Sequence, residues 1–386
     1  MAQTTQFDKL RRQRRRKKRV RRLITGALTL AILAVALLGA AVVYQLDLAT
    51  QVQNFAVSAF KTGGGFPVST RDIRVRAVHS MGRDVVVVAD SGTFVYNKNG
   101  ALLLSRMNQY TQPVVRISGG KILTYDLGGH GVRVDNKAKE LHTMTTDGRL
   151  YAADLAPSGH LATAASAEGF LAHVTVYSPT FEERYNWYTN ECYITDLRLS
   201  PRGDRFCAAG VSGGGDGRLV GQLWFHHTGK KDEAAQVLLP GELVISLAWT
   251  PDSRVQVVTD RSAYLYDQDG GQVAQTPLPG GITHVEQSPD GGLYLAHGDY
   301  RSAGGAVVEA YDKDLRHTGS YATDRRILSL EAGDGRLLIL TEGRLMLGDA
   351  DLAQVQQRRD ADLYYVCGAG NMIYGITPQG LIREEL

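Results

Sequence analysis

The sequence is poor in the residues on which many enzymes and small secreted scaffolds depend. With 3 Cys in 386 residues, it can build neither a disulfide-stapled framework nor a multi-cysteine zinc module. Its glycine-flanked serines read as turn residues rather than nucleophile elbows. The run Gly213–Arg218 has no Gly-Lys-Ser/Thr ending and no following helix, so it reads as a hairpin tip rather than a phosphate loop. Charge is missing altogether from residues 23–44. Long stripes of helical period are also missing after Phe66, which argues against an α-rich body.

What charge there is falls unevenly. Residues 1–22 carry 11 Lys/Arg and a single acid, Asp8, a local +10. The overall formal charge is only +3, so the rest of the chain is net −7. Residues 23–44 are almost wholly apolar, and 22 residues rise ~33 Å as a helix, enough to cross a ~30 Å hydrocarbon core. The run exceeds a signal-peptide core, although Gly39–Ala40–Ala41 offers small residues near its end. The basic cluster abuts one side only, so the N-terminus is expected to be cytoplasmic and the C-terminal body extracytoplasmic, at the cell membrane. A nucleic-acid arm is the rival reading of the same cluster, but contact with anionic lipid headgroups suits its place beside the span better.

Residues 45–65 form the expected extracytoplasmic linker, with a short helix before the glycines at 63–65. From residue 66 to 386 short β-rich runs alternate with turns of two recurring kinds. One follows an apolar run, as in Leu155–Ala156–Pro157–Ser158–Gly159, Leu199–Ser200–Pro201–Arg202–Gly203, Trp249–Thr250–Pro251–Asp252–Ser253 and Gln287–Ser288–Pro289–Asp290–Gly291. The other follows an alternating strand, as in Tyr96–Asn97–Lys98–Asn99–Gly100 and Tyr266–Asp267–Gln268–Asp269–Gly270. The prolines recur at spacings of 44, 50 and 38 residues. Four strands per unit of about 40 residues is the signature of a β-propeller. Eight innermost strands can be counted, from Ile73–Val78 to Leu363–Val366, and seven blades remain the alternative if one unit is a decoration. The last unit has only three strands, so a segment near Phe66–Thr70 is expected to supply the fourth and close the ring.

The Pro-Asp-Gly turns resemble WD40-like and TolB-like repeats, and the Tyr-Asp-x-Asp-Gly corners resemble quinoprotein-type repeats. Three segments, Gly64–Val68, Tyr110–Val114 and Leu123–Gly129, together with the basic tail and apolar run, resemble an uncharacterised family of single-pass membrane proteins from Firmicutes, chiefly clostridia. That resemblance implies a propeller on the outer face of the membrane and brings no catalytic residue with it.

Chemistry is harder to find. Cys192, Cys207 and Cys367 are expected as separate buried thiols, because strand spacing keeps the first two ~17 Å apart. His226–His227 are adjacent on a strand and point to opposite faces, so they cannot jointly chelate one metal. No catalytic, cofactor or metal residue is assigned. Topology instead suggests a binding face built from the loops entering the inner strands and those joining second strands to third. It would gather Tyr110, His130, Tyr185, Trp187, Tyr188, Glu191, Asp299, Tyr300, Arg301 and Arg325. Amphipathic aromatics beside Arg are what protein hot spots and sugar platforms use. The expected function is a non-catalytic binding or scaffold module for an envelope or membrane protein. The alternative is an extracytoplasmic enzyme or ligand sensor acting on a glycan or small molecule at the channel mouth.

Overall fold

The computed structural model describes Gly26, Leu30 and residues 48–386, apart from Asp216, residues 231–233, residues 299–304 and Ala361. The apolar run 23–44 therefore lies outside the described residues save for two positions. Among the described residues no helix is long and apolar enough to cross a membrane. A helix, α1, spans Leu48–Phe60.

From Val75 to the C-terminus the chain forms eight antiparallel sheets, seven of four strands and one of three. Within each sheet the strands pair in sequence order, which is the meander of a propeller blade. The innermost strands, in blade order, are Val75–Met81, Pro113–Ser118, Leu150–Leu155, Tyr193–Leu199, Val244–Trp249, Ile282–Gln287, Ile327–Gly333 and Tyr365–Ala369. The fold is thus an all-β eight-bladed propeller. Blade 8 has three strands of its own. Val68 completes it, exchanging both backbone hydrogen bonds with Leu381 at 2.9 and 2.8 Å. Closure of the ring by residues ahead of blade 1 removes an exposed sheet edge.

The two turn families do the work their residues suggest. In the first, the residue two after Pro takes a left-handed backbone: Gly159, Gly203 and Gly291, with φ between 73° and 96°, and Ser253 at 65°. In the second, an Asx side chain closes the corner. Asn97 Oδ1 accepts from the Asn99 and Ala101 amides, and Asp267 Oδ1 accepts from those of Asp269 and Gly271. Asp312 repeats the pattern with Asp314 and Arg316. Gly213 and Leu219 pair where the second and third strands of blade 4 end, so the residues between them join a hairpin.

There is no single central core. Buried apolar residues fall into eight clusters, one at each interface between adjacent blades. This follows from strand alternation: each blade presents one row of side chains forward and one backward, and both must be buried.

Candidate functional site

Six of the eight inner strands carry a register shift against their second strand just after they enter the ring, as between Ile194 and Asp196 or Ile282 and His284. A bulge bends the strand and resets which residues face the neighbouring blade. Downstream of it, the position two residues before the close of the first hairpin is occupied, blade by blade, by His79, Arg116, Asp154, Arg198, Ala248, Glu286, Glu331 and Cys367. Six of these eight are acidic or basic residues where an all-β core would ordinarily place apolar ones.

Arg116, Asp154, Arg198, Ala248 and Glu286 line one cavity of ≈ 480 Å³. Arg116 Nη2 donates to Asp196 Oδ1 at 2.8 Å, while its Nη1 stands 3.6 Å from Asp154 Oδ1. Arg198 lies 3.6 Å from Asp154 and 3.5 Å from Asp196, and its Nε donates to the Leu247 carbonyl at 2.7 Å. Asp154 Oδ2 accepts the Leu199 amide at 2.8 Å. One charge network therefore ties blades 2 to 5 together around the axis. Burial pushes the Asp154 carboxyl up to about 6, partly countered by Arg116. Burial disfavours the Arg116 charge too, but Asp154 and Asp196 together hold it above the usual arginine value. Further round, burial raises Glu286 to about 7. Glu331 rises to about 8, through burial first and then the charge of Glu286.

The sequence-derived face is only partly assembled. Tyr110 and His130 stand near each other at blade 2, where the Tyr110 ring crowds Gly131 and His130 Nδ1 contacts the Thr146 carbonyl at 2.9 Å. Glu191, in the loop into blade 4, accepts from Gln236 at 3.0 Å. Arg325, in the loop into blade 7, donates to the Glu342 carbonyl at 2.7 Å. Asp299, Tyr300 and Arg301 lie outside the described residues.

The aromatic run is not a loop. Glu183–Thr189 is the outer strand of blade 3, and its residues divide between two faces. Tyr185 and Trp187 turn toward blade 4. Tyr185 is buried, with its hydroxyl 3.0 Å from His226 Nδ1. Trp187 packs on Trp224, Phe206 and His226 at centroid distances of 5.3, 6.3 and 4.4 Å. Burial there lowers the His226 imidazole to about 4. Tyr188 points the other way and stacks on His173 at 3.9 Å. Ser212, flanked by Gly210 and Gly214, is a strand residue accepting from Gln222, not an elbow.

On the Tyr188 side a groove of ≈ 890 Å³ opens between blades 2 and 3. Blade 2 contributes His142, stacked on Phe181 at 4.1 Å. Across it lies the Tyr188–His173 stack, with Phe170 4.9 Å from Tyr188. Its floor is small and polar, including Thr163 and Thr175, and Asn186 Oδ1 accepts from both Thr175 and His173. Asp147, Glu168 and Glu183 edge it with negative charge. Sequence reasoning found Tyr188 but not its partners. The signal was the row Thr163, His173, Thr175, polar residues on a strand face where Ala and Val fill the other.

Among curated proteins, none matches the sequence. In three dimensions the chain is similar to the C-terminal WD40 domain of Sif2, with a TM-score of 0.57 at 9% identity, covering 78% of this chain and 93% of that one. It is also similar to BamB from Moraxella catarrhalis, with a TM-score of 0.52 at 9% identity, covering 84% of this chain and 98% of that one. Both likenesses are of fold. The model described as "Family of unknown function (DUF5711)" matches residues 68–351, well over half the chain and nearly all of blades 1 to 7, so the protein belongs to that family.

Proposed function

We propose that the protein is a membrane-anchored, extracytoplasmic propeller that acts as a non-catalytic binding module for an envelope or membrane protein. Residues 23–44 would be the anchor and residues 1–22 its cytoplasmic tail on anionic lipid. The groove between blades 2 and 3 carries the binding reading. The Tyr188–His173 stack sits at the surface with Tyr188 47% exposed, and Phe170, packed beside Tyr188, is 43% exposed. Rigid amphipathic rings lose little entropy on contact, which makes them efficient anchors for a partner's side chains.

The test is affinity capture of the full chain from native membranes, compared with a Phe170→Ala/Tyr188→Ala variant. A specific partner held by the wild type and lost by the folded variant supports the reading. Equal capture by both removes the groove from it.

A second reading rests on the axial cavity, where Arg116, Arg198, Asp154 and Glu286 converge. There the propeller would be a sensor or enzyme for a glycan or small molecule. Thermal stabilisation by such a compound, abolished by Arg198→Met, would favour it; no shift across a glycan and metabolite panel would sink it.

A further inference from the structure

Helix α1 is amphipathic in the wrong sense for a soluble protein. No residue from Leu48 to Phe60 is charged. At 100° per residue, Val52, Phe55, Ala59 and Phe60 fall in one half of the helix, and Gln53, Asn54, Val57 and Ser58 in the other, where Val57 packs on the core between blades 1 and 2. A helix docked on a globular body normally buries the apolar side. Here Val52, Phe55 and Phe60 are 64%, 70% and 82% exposed, whereas Asn54 is 7% exposed.

The polar side is used as a clamp. Asn54 Nδ2 donates to the Gly120 carbonyl at 2.7 Å, and its Oδ1 accepts the Lys137 amide at 2.9 Å. Asn136 donates to Gln53 at 3.0 Å. Asn97 Nδ2 reaches back to the carbonyls of Ser58 and Lys61 at 3.1 and 2.8 Å. Ser58 donates to Asp84, which also pairs with Lys137 at 2.7 Å. These partners are the hairpin turns of blades 1 and 2 on a single face, the one formed by the first and last turns of each blade. With so many directional bonds holding it, the helix cannot roll its apolar side inward without orphaning buried donors and acceptors.

Three exposed large apolar side chains on one uncharged helix need a cover that is apolar and carries no matching charge. The chain itself indicates which. Only residues 45–47 separate α1 from the 22-residue uncharged run, and three residues span at most ~11 Å. We infer that α1 lies in the outer leaflet's interfacial layer, with Val52, Phe55 and Phe60 immersed in lipid. This rests on the anchor reading above. It turns the face of first and last turns toward the bilayer and leaves the opposite face, with Tyr110, His130, Glu191 and Arg325, and the mouth of the blade 2–3 groove, open to a partner. Interfacial helices of this type sit ~5–10 Å into the headgroup boundary.

The test uses the full chain reconstituted in phosphatidylethanolamine/phosphatidylglycerol vesicles. An environment-sensitive fluorophore is attached through Phe55→Cys or, as the control on the far face, Glu168→Cys; the three native thiols are buried. The expected result is a blue-shifted emission at position 55, quenched by acyl-chain-brominated lipid several-fold more than at position 168. Equal, water-like emission at both positions, in a chain that still resists alkaline carbonate, overturns this inference and leaves the anchor standing. Blue-shifted but unquenched emission means that protein, a second copy or a partner, covers the helix, and also overturns it. Release of the chain by carbonate overturns the anchor and this inference together. A Val52→Ser/Phe60→Ser background should lower the quenching at position 55 without loosening carbonate resistance.

Discussion

The two faces of blade 3 are built from the same four strands and end in opposite states. Toward blade 4 the alternating positions are Ala152, Ala162, Ala164, Ala172, Val174, Val176, Tyr185 and Trp187, all in one apolar cluster. The alanines leave space that Phe206, Trp224 and His226 fill, and the interface is sealed. Toward blade 2 the intervening positions include Thr163, Ala165, His173, Thr175, Asn186 and Tyr188. Leu161 and Tyr177 still pack with Leu123 and Tyr125 in one apolar cluster. Beyond them blade 2 supplies His142 and Met144 to one wall rather than a filling ring, and the groove remains. A propeller blade need not seal both faces along its whole length, because the ring is held by its inner strands and its closure. A face freed from sealing can carry recognition instead.

The strongest way to break that contrast is on the sealed side. Phe206→Ala should cost about 4 kcal/mol in chemical denaturation, since a fully buried ring leaves a cavity its neighbours cannot fill. A loss below about 1 kcal/mol would mean the interface is not close-packed.

Acid should find the same interface. His226 titrates near 4 when folded and near 6.5 when unfolded, so the folded state prefers it neutral. Stability is then retained above 6.5 and lost as pH falls toward 4, by roughly 3 kcal/mol at the bottom of that window. His226→Phe should flatten the fall in a urea series between pH 7 and 4.

The inner ring gives the opposite slope. Glu331 prefers its proton when folded, with a value of about 8. Its unfolded value is near 4.3, so stability declines as pH rises from about 5 to 8. Glu331→Gln should remove roughly 2 kcal/mol of that decline, once partial solvent screening is allowed for. An unchanged slope would place the Glu331 carboxyl in water.

The smallest stability effect belongs to the open face. Tyr188→Ala should change unfolding free energy by less than about 1 kcal/mol, because the ring is already half in solvent. Its effect on partner capture should be far larger than its effect on stability. A stability loss as large as that of Phe206→Ala would show the groove to be core rather than a site.

Local signals carried much of the fold. Pro presets a turn torsion, Gly or a small residue takes the left-handed corner, and Asx closes the second turn type; these rules act within four or five residues. So a count of eight blades, with seven as the alternative, and a closing segment near Phe66–Thr70 were readable, and the structure places Val68 of that segment against Leu381. The candidate site was less so. Tyr185, Trp187 and Tyr188 are consecutive or nearly so, yet strand alternation assigns them to two interfaces, and no local rule says which of the two is left open. The axial network was missed because Arg116, Asp154, Asp196 and Arg198 come from three blades, and each looks like an isolated charge on its own strand.

The amino-acid sequence by itself therefore determined the repeat, its turns and the uncharged run, and narrowed the blades to eight or seven, since each is a matter of short-range torsion and hydropathy. Tertiary structure alone decided what the residues face. It sealed His226 in a ring of aromatics and brought Arg116 to Asp196. It opened the groove beside Tyr188 and turned the apolar side of α1 outward. Those outcomes depend on which surfaces meet across the ring and which hydrogen bonds hold them there, and no stretch of a single strand or helix contains that information.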